Sequence, residues 1–259
     1  ADPAPQRRAE HAWRLANHHE QAGHNLDAAH HAAEAASLLT YVNALEMSQR
    51  WRKVLTLLEG ESDPRAPPLR ALAAGRVVYL GWRAGMAPDE ARHLIAQALD
   101  DAAQIDSRLP QLLLFAQARV LQSSGGPADD YVAAVRRTLA MPAPAGDPGR
   151  RVTLQLALCQ ALGWAGLLRE ALAANDEVVA GAPQVSAFDR DFIGFDVERW
   201  ALALRVRLLC RSGRLRDAQT CLQRLKLLAR AESDPVILQM VRAGAMELDA
   251  ATGRLDGVN

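Results

Sequence analysis

Histidine is the residue in this sequence whose placement most suggests chemistry. Six of the seven histidines lie within the first 31 residues, and imidazole nitrogens are common ligands of divalent transition metals. His11 and His18 are seven residues apart, so they share one helix face, and a helix carrying His30 and His31 would pack beside it. However, the sequence contains no HExxH or HxxxH pair and no cysteine near these histidines. The pattern therefore favours capping, packing and exposure, and we predict no metal site for His11, His18, His19, His24, His30 and His31.

A run of carboxylates near the middle of the second half of the chain also invites a chemical interpretation. Its members are Asp189, Asp191, Asp196 and Glu198. Paired carboxylates serve acid–base catalysis or Mg²⁺ binding, but no Gly-rich loop and no nucleophile accompany this run. Negative side chains are also favoured at a helix N-terminus by the helix dipole. We therefore predict that the run marks the start of a long helix.

Candidate nucleophiles lack the setting that activates them. Cys159, Cys210 and Cys221 lie in Ala/Leu-rich stretches without CxxC spacing, so we expect reduced, buried thiols. The sequence has no GxSxG elbow, and the cysteines are far in sequence from the histidines. We predict a protein that is not an enzyme and needs no cofactor.

Charge and hydropathy exclude other classes of partner. Lys+Arg and Asp+Glu both number 30, so no net field attracts a polyanion. Among the five tryptophans, Trp82 beside Arg83 and Trp51 between Arg50 and Arg52 come closest to a basic stripe, which is weak support for base stacking, and we expect no direct contact with nucleic acid. No apolar run approaches the roughly 18 residues of a membrane span, and the first residues carry no signal segment. These features predict a soluble, cytoplasmic chain without membrane contact.

The elements that must position any site are helices. Ala, Leu, Arg, Glu and Gln dominate the segments between prolines, whereas alternating β-branched runs are absent. Prolines fall between these segments or at the first turn of a helix. The sequence predicts an all-α fold with helices over 7–22, 26–38, 41–58, 67–84, 88–103, 108–123, 128–140, 150–165, 168–181, 189–211, 215–230 and 235–251.

Small residues recur at fixed intervals along these helices. Alanines stand seven apart in three pairs, which are Ala28 and Ala35, Ala91 and Ala98, and Ala133 and Ala140. Members of such a pair lie on one helix face, where a small side chain lets a neighbouring helix approach closely. A glycine also lies five residues before each of Ala28, Ala171 and Ala218, where it can end the preceding helix. Internal repeats of helix pairs are therefore expected.

This spacing resembles the tetratricopeptide repeat. Gly166, Ala171 and Pro183 match three positions of that pattern, with Val178 in place of its second alanine, and Gly213 with Ala218 matches two. Anchoring residues 91, 133, 171 and 218 are 42, 38 and 47 apart, so the repeats are degenerate. The resemblance implies an α-solenoid of antiparallel helix pairs in a right-handed superhelix. It divides the chain into an N-terminal helical segment, 1–60, and an array, 61–259.

Two further segments suggest a longer polypeptide. The segment Leu15–Gly23, with the alanines that follow it, resembles the start of helical sensor regions in large bacterial signalling proteins. In those proteins the region accompanies a STAND or AAA ATPase module, a nucleotidyl cyclase or a LuxR-type DNA-binding domain. No GxxxxGK[ST] loop occurs in this sequence. Residues 251–256 repeat the sequence pattern of residues 212–217, but no further helix follows them. This predicts a repeat array that is cut within its last repeat.

In tetratricopeptide arrays the first helix of each pair lines the concave surface. Counting back from the anchoring alanines places an Arg/Gln ladder with one aromatic there: Arg76, Arg83, Gln122, Gln160, Trp200 and Arg207. Guanidinium and amide groups supply convergent donors for a partner protein or peptide carrying carboxylates. The resemblance therefore implies a protein-interaction or sensor scaffold of a signalling or transcription-regulatory protein. The alternatives are a small-molecule effector domain, a solvated face without a ligand and, third, an enzyme.

Overall fold

The computed structural model describes residues 4–39, 44–103, 108–142, 146–230 and 235–254, and it is helical almost throughout these ranges. The described segments contain no β-strand, so the all-α prediction is confirmed. The first six helices are α1 (Ala4–Gln21), α2 (Asn25–Ser37), α3 (Ala44–Leu57), α4 (Ala66–Ala84), α5 (Pro88–Ala103) and α6 (Leu109–Ser123). The later helices are α7 (Ala128–Ala140), α8 (Gly149–Trp164), α9 (Leu168–Gly181), α10 (Ala187–Ile193), α11 (Val197–Arg211), α12 (Leu215–Arg230) and α13 (Pro235–Thr252).

One predicted helix is wrong in extent. The sequence predicts a single helix over 189–211, whereas the structure ends α10 at Ile193 and begins α11 at Val197. Gly194 adopts a left-handed conformation with φ of 79°, which closes α10. Asp196 then caps α11, because its side chain accepts a hydrogen bond from the backbone N–H of Arg199 at 2.9 Å. The predicted start of the 41–58 helix falls at residues 41–43, outside the described residues.

The chain divides into two compact units, Ala1–Pro127 and Ala128–Asn259. In the first unit each helix from α1 to α6 contacts the next along the chain, and α4 also contacts α6. In the second unit α7 packs on α8 and α8 on α9, while α11 contacts α9, α12 and α13. The predicted boundary between residues 60 and 61 concerns repeat organisation and stays a prediction.

The helix pairs are joined by a recurring turn. In the α1–α2 turn the N–H of Gly23 bonds the carbonyl of Glu20, and the N–H of His24 bonds the carbonyl of His19, at 2.9 Å in both cases. This pair of bonds is the Schellman motif, which needs a left-handed residue, and Gly23 has φ of 78°. The same two bonds recur around Gly125, Gly166, Gly213 and Gly253. The same Schellman conformation therefore ends five helices: α1, α6, α8, α11 and α13.

The small-residue register is correct for most helices and wrong for α7. Ala28, Ala91, Ala171 and Ala218 are fully buried. Ala133 and Ala140, by contrast, are exposed, and Tyr131 and Thr138 occupy the buried positions. α5 and α7 begin three residues after their turn glycines, and in both helices the buried anchor is the sixth residue after the glycine, Ala91 in α5 and Tyr131 in α7. Because the anchor of α7 is a large residue, a search for small residues placed it two positions too far along, at Ala133.

Candidate functional site

Three of the predicted partner-binding residues line one cavity in the second unit. Gln160 comes from α8, Trp200 and Arg207 come from α11, and the cavity they share has a volume of about 100 Å³. Trp200 and Arg207 are seven residues apart, so they lie on the same face of α11, as the heptad spacing requires. The third wall is α13, whose contribution sequence reasoning missed: Met240, Ala243, Gly244 and Glu247.

The cavity wall is held in place by specific contacts. Trp200 packs edge-on against Phe195, with ring centroids 4.0 Å apart and an interplanar angle of 82°. Nε of Arg207 donates to Oε1 of Glu247 at 2.5 Å, which ties α11 to α13 at the cavity rim. Both charged side chains stay partly exposed. The cavity thus combines a fixed aromatic surface with a compensated ion pair.

Gln160 is the unusual member of this group. The residue is only 8% exposed, and its Oε1 has no hydrogen-bond partner among the described residues. A buried acceptor left unpaired costs about 1–3 kcal/mol of stability. Because Gln160 lines the cavity, a rotation of its side chain amide would let this oxygen accept from an N–H or O–H donor that enters. The arrangement can therefore bind a small group that is apolar on one side and carries a hydrogen-bond donor.

Two more predicted residues lie near a tryptophan in the first unit. The guanidinium carbon of Arg83 is 4.8 Å from the centroid of Trp82, and that of Arg119 is 4.5 Å from the same ring. Arg119 also donates from Nη1 to Oε1 of Gln122 at 3.3 Å. Sequence reasoning found Arg83 and Gln122 but missed Arg119, whose contribution depends on α6 packing on α4. These side chains form a cationic, aromatic group in that unit.

Arg76, the remaining predicted residue, is not at a surface. Its side chain is 2% exposed and its guanidinium carbon lies 5.4 Å from the centroid of Trp51. This geometry is a cation–π contact within the first unit. A partner would reach Arg76 only if that stack opened, so its predicted contact with a partner is the least supported of the six.

The carboxylate run proves to have two separate structural roles. Asp196 caps α11 and Glu198 lies in its first turn, so both lie at a helix start, but this helix begins at Val197 and not at the predicted residue 189. Asp189 instead is fully buried, where its carboxylate pairs with Arg150 of α8 at 2.7 Å. The run is therefore not a cluster of convergent carboxylates.

The cysteine thiols are poorly suited to nucleophilic chemistry. All three are free, with Cys159 and Cys221 buried as predicted and Cys210 half-buried. Burial raises the pKa of the Cys159 thiol to about 11, although a hydrogen bond from Asn175 opposes this effect. Burial also raises the pKa of Cys221 and Cys210. At neutral pH these groups are thiols rather than the reactive thiolates.

Two wider clefts, each of about 520 Å³, lie one in each unit. The cleft of the first unit contains Arg70 and Asp101, which are joined by two hydrogen bonds of 2.8 and 2.9 Å. The cleft of the second unit contains Arg214 and Asp217, which pair at 2.7 Å. These charged groups already compensate one another.

Across the described ranges, no helix has the length and apolar character to span a membrane.

Comparison with known proteins does not assign the chain to a family. No protein-family model matches it, and no curated protein matches it. The tetratricopeptide resemblance therefore depends on the motif positions in the sequence and stays a prediction.

Proposed function

We propose that this chain is a protein-interaction scaffold of a larger cytoplasmic signalling or regulatory protein, and that it binds a peptide segment of its partner. The binding site includes the cavity formed by Gln160, Trp200 and Arg207 with Glu247. The observation that carries the proposal is that Gln160 lines the cavity while its buried Oε1 has no hydrogen-bond partner in the described part of the chain.

A degenerate tetratricopeptide-like α-solenoid is the architecture that we propose for this scaffold. Three features support it: packing of consecutive helices from α1 to α6 in the first unit and of α8 on α9 and α11 on α12 in the second, the recurring Schellman turns, and alanines buried five residues after the turn glycine in α2, α9 and α12. Such arrays expose one face of the first helix of each pair. Gln160 on α8 and Trp200 with Arg207 on α11 occupy that position if α8–α9 and α11–α12 are the pairs.

The size of the cavity favours a partner side chain over a free effector. Small-molecule sites usually enclose about 300–1,000 Å³, whereas this cavity has about 100 Å³. That volume suits one side chain inserted from a bound peptide, which then donates to Gln160 and packs on Trp200. The two clefts of about 520 Å³ have room for an effector, but their paired charges leave fewer polar groups to recognise one. The effector alternative is therefore less well supported.

Selection from a displayed library of random peptides tests the proposal without knowledge of the natural partner. Peptides that bind the wild-type chain are measured by fluorescence anisotropy against Trp200→Ala, Gln160→Leu and the matched control Gln219→Leu, whose side chain is exposed on α12. Loss of Trp200 should weaken binding by about 2 kcal/mol or more, the magnitude of an aromatic hot spot. Gln160→Leu should also weaken binding, and Gln219→Leu should not.

A stability measurement separates a functional glutamine from a structural one. Gln160→Leu removes an unpaired buried acceptor at nearly constant volume, so it should raise the free energy of unfolding by about 1–2 kcal/mol while it lowers peptide affinity. The proposal fails if no peptide is enriched, or if the enriched peptides bind both cavity variants as tightly as the wild type. Arg83→Ala tests in the same assay whether the cationic group of the first unit contributes.

A further inference from the structure

The turn between α1 and α2 brings two histidines together by its backbone geometry. In a Schellman motif the side chain after the left-handed glycine contacts the side chain five positions earlier. Here these two positions are occupied by His24 and His19, whose ring centroids are 6.0 Å apart. The backbone bond from the N–H of His24 to the carbonyl of His19 is 2.9 Å long. The approach of the two rings is therefore imposed by the way that α1 ends.

Other turns have the same backbone hydrogen bonds but different side chains at the two positions that meet. The equivalent positions are Leu162 and Leu167 in the α8–α9 turn, where two apolar side chains meet. They are Leu209 and Arg214 in the α11–α12 turn. Among the turns that the structure describes with this bond pattern, only the α1–α2 turn carries imidazoles at both positions.

A carboxylate completes the group. Asp27 lies in the first turn of α2, three residues after His24. One of its carboxylate oxygens, one ring nitrogen of His19 and one ring nitrogen of His24 all lie within 4.8 Å of one another. His31, one helical turn after Asp27, stacks on His19 with ring centroids 5.2 Å apart and an interplanar angle of 22°. This stack restrains the ring of His19 from the side of α2.

We propose that His19, His24 and Asp27 bind a divalent transition-metal ion of the Zn²⁺ type, with the remaining coordination positions open to solvent. Two imidazoles and one carboxylate are a ligand set that Zn²⁺ accepts. Tetrahedral Zn²⁺ with bonds of about 2.0–2.1 Å separates its ligand atoms by about 3.4 Å. Binding would therefore require the ligand atoms to close from their separations of up to 4.8 Å, and the exposed side chains of His24 and Asp27 have room to rotate toward the half-buried His19.

The sequence did not predict this site because the histidines were compared as members of two packed helix faces, His11 with His18 on one and His30 with His31 on the other. The group His19-x₄-His24-x₂-Asp27 instead crosses a turn, and the spacing becomes convergent only because Gly23 reverses the chain. An ion held there links the last turn of α1 to the first turn of α2. The bound ion therefore stabilises this helix pair as well as occupying the site.

Titration with Zn²⁺ alone tests the site in the full chain after removal of any affinity tag and dialysis against a chelator. Calorimetry should give one ion per chain for the wild type. His24→Ala and Asp27→Asn should each lower the affinity by more than about tenfold, because even partners outside the ligand shell change metal affinity by about 10–100-fold. His93→Ala and His11→Ala are matched controls, since both residues are exposed and outside the group, and their affinity should equal that of the wild type.

A thermal melt supplies a second readout. The unfolding midpoint should rise with Zn²⁺ concentration in the wild type and in His93→Ala, because the ion binds the folded state, and it should not rise in His24→Ala. Circular dichroism verifies that each variant is folded, and His24 and Asp27 are exposed positions whose replacement leaves the core intact. The proposal is overturned if the wild type binds no stoichiometric Zn²⁺, if His24→Ala binds as tightly as the wild type, or if His11→Ala abolishes binding.

Discussion

Arg150 and Asp189 form the most deeply buried charged pair among the described residues. Both side chains are 0% exposed, and Nε and Nη2 of Arg150 donate to the two carboxylate oxygens of Asp189 at 2.9 and 2.7 Å. Asp147 adds a second carboxylate 3.6 Å from Nη2 of Arg150. The fork geometry satisfies a guanidinium that water cannot reach, so this pair fixes α10 against the start of α8.

Removal of one member of this pair should be costly. Arg150→Met leaves Asp189 charged and unpaired in the interior, and we expect the free energy of unfolding to fall by about 3–5 kcal/mol. The double variant Arg150→Met/Asp189→Leu should recover most of that loss, because apolar side chains of similar volume replace the pair. Urea denaturation monitored by circular dichroism measures both values.

An exposed pair provides the control for this prediction. Arg136 and Glu170 pair at 2.8 Å with both side chains 54% exposed. Arg136→Met should change the free energy of unfolding by no more than about 1 kcal/mol. If Arg150→Met lowers the free energy of unfolding no more than Arg136→Met does, burial does not make the Arg150–Asp189 pair more important for stability than an exposed pair.

At the scale of elements, the turn glycines and close helix contacts decide where each helix begins and ends. Gly149 begins α8, and a Cβ there would lie 2.1 Å from the carbonyl oxygen of Gln184 and 2.6 Å from Cα of Val185. Gly163 near the end of the same helix meets only the tip of the Leu208 side chain, at 3.0 Å. The first contact is with backbone, which cannot rotate away, and the second is with a flexible group.

These two glycines therefore predict opposite responses to alanine. Gly149→Ala should lower the free energy of unfolding by about 2 kcal/mol or more, because the segment after α9 must shift to admit the methyl group. Gly163→Ala should have a net effect near zero, since a helix propensity gain of about 1 kcal/mol offsets a small rearrangement of Leu208. Thermal denaturation of both variants checks this contrast. Equal losses of stability would contradict the difference drawn between the backbone contact at Gly149 and the side-chain contact at Gly163.

The elements were largely predictable, and their exceptions have local physical causes. Helix-forming residues between prolines and glycines predict most helix bounds to within a few residues. The break at Gly194 was missed because the acidic residues around it suit a helix start as well as a continuous helix. The anchor at Ala133 was misplaced because the buried position of α7 is occupied by a large residue, Tyr131, whereas the register was defined by small residues.

The candidate site was predictable only where one helix carries the residues. A fixed offset along α8 and α11 found Gln160, Trp200 and Arg207, which the structure brings to one cavity. Glu247 was not found, because it is 40 residues from Arg207 and its contact depends on α13 packing on α11. Arg119 and the Arg150–Asp189 pair were missed for the same reason. Tertiary contacts between distant helices leave no periodic signal in the sequence.

At the scale of the whole molecule, the second compact unit contains a hydrophobic core of its own. In the second unit, Leu202 and Val206 of α11 form a buried core with Leu222 and Leu225 of α12. Residues of α9 and α13 pack around that core. Because α11 contacts α9 and α13 as well as α12, this core joins helices that are not adjacent in the chain.

A fragment of residues 128–259 should therefore fold without the first unit. We expect a helical circular-dichroism spectrum and a single cooperative transition on heating, because the core of α11 and α12 is contained in the fragment. Leu222→Ala within the fragment should lower its free energy of unfolding by about 2–5 kcal/mol, as buried leucines do. Leu227→Ala is the matched control, since Leu227 is 63% exposed on the same helix and its loss should cost little. A fragment that melts without cooperativity, or that responds equally to both substitutions, would show that the core of the second unit depends on the rest of the chain.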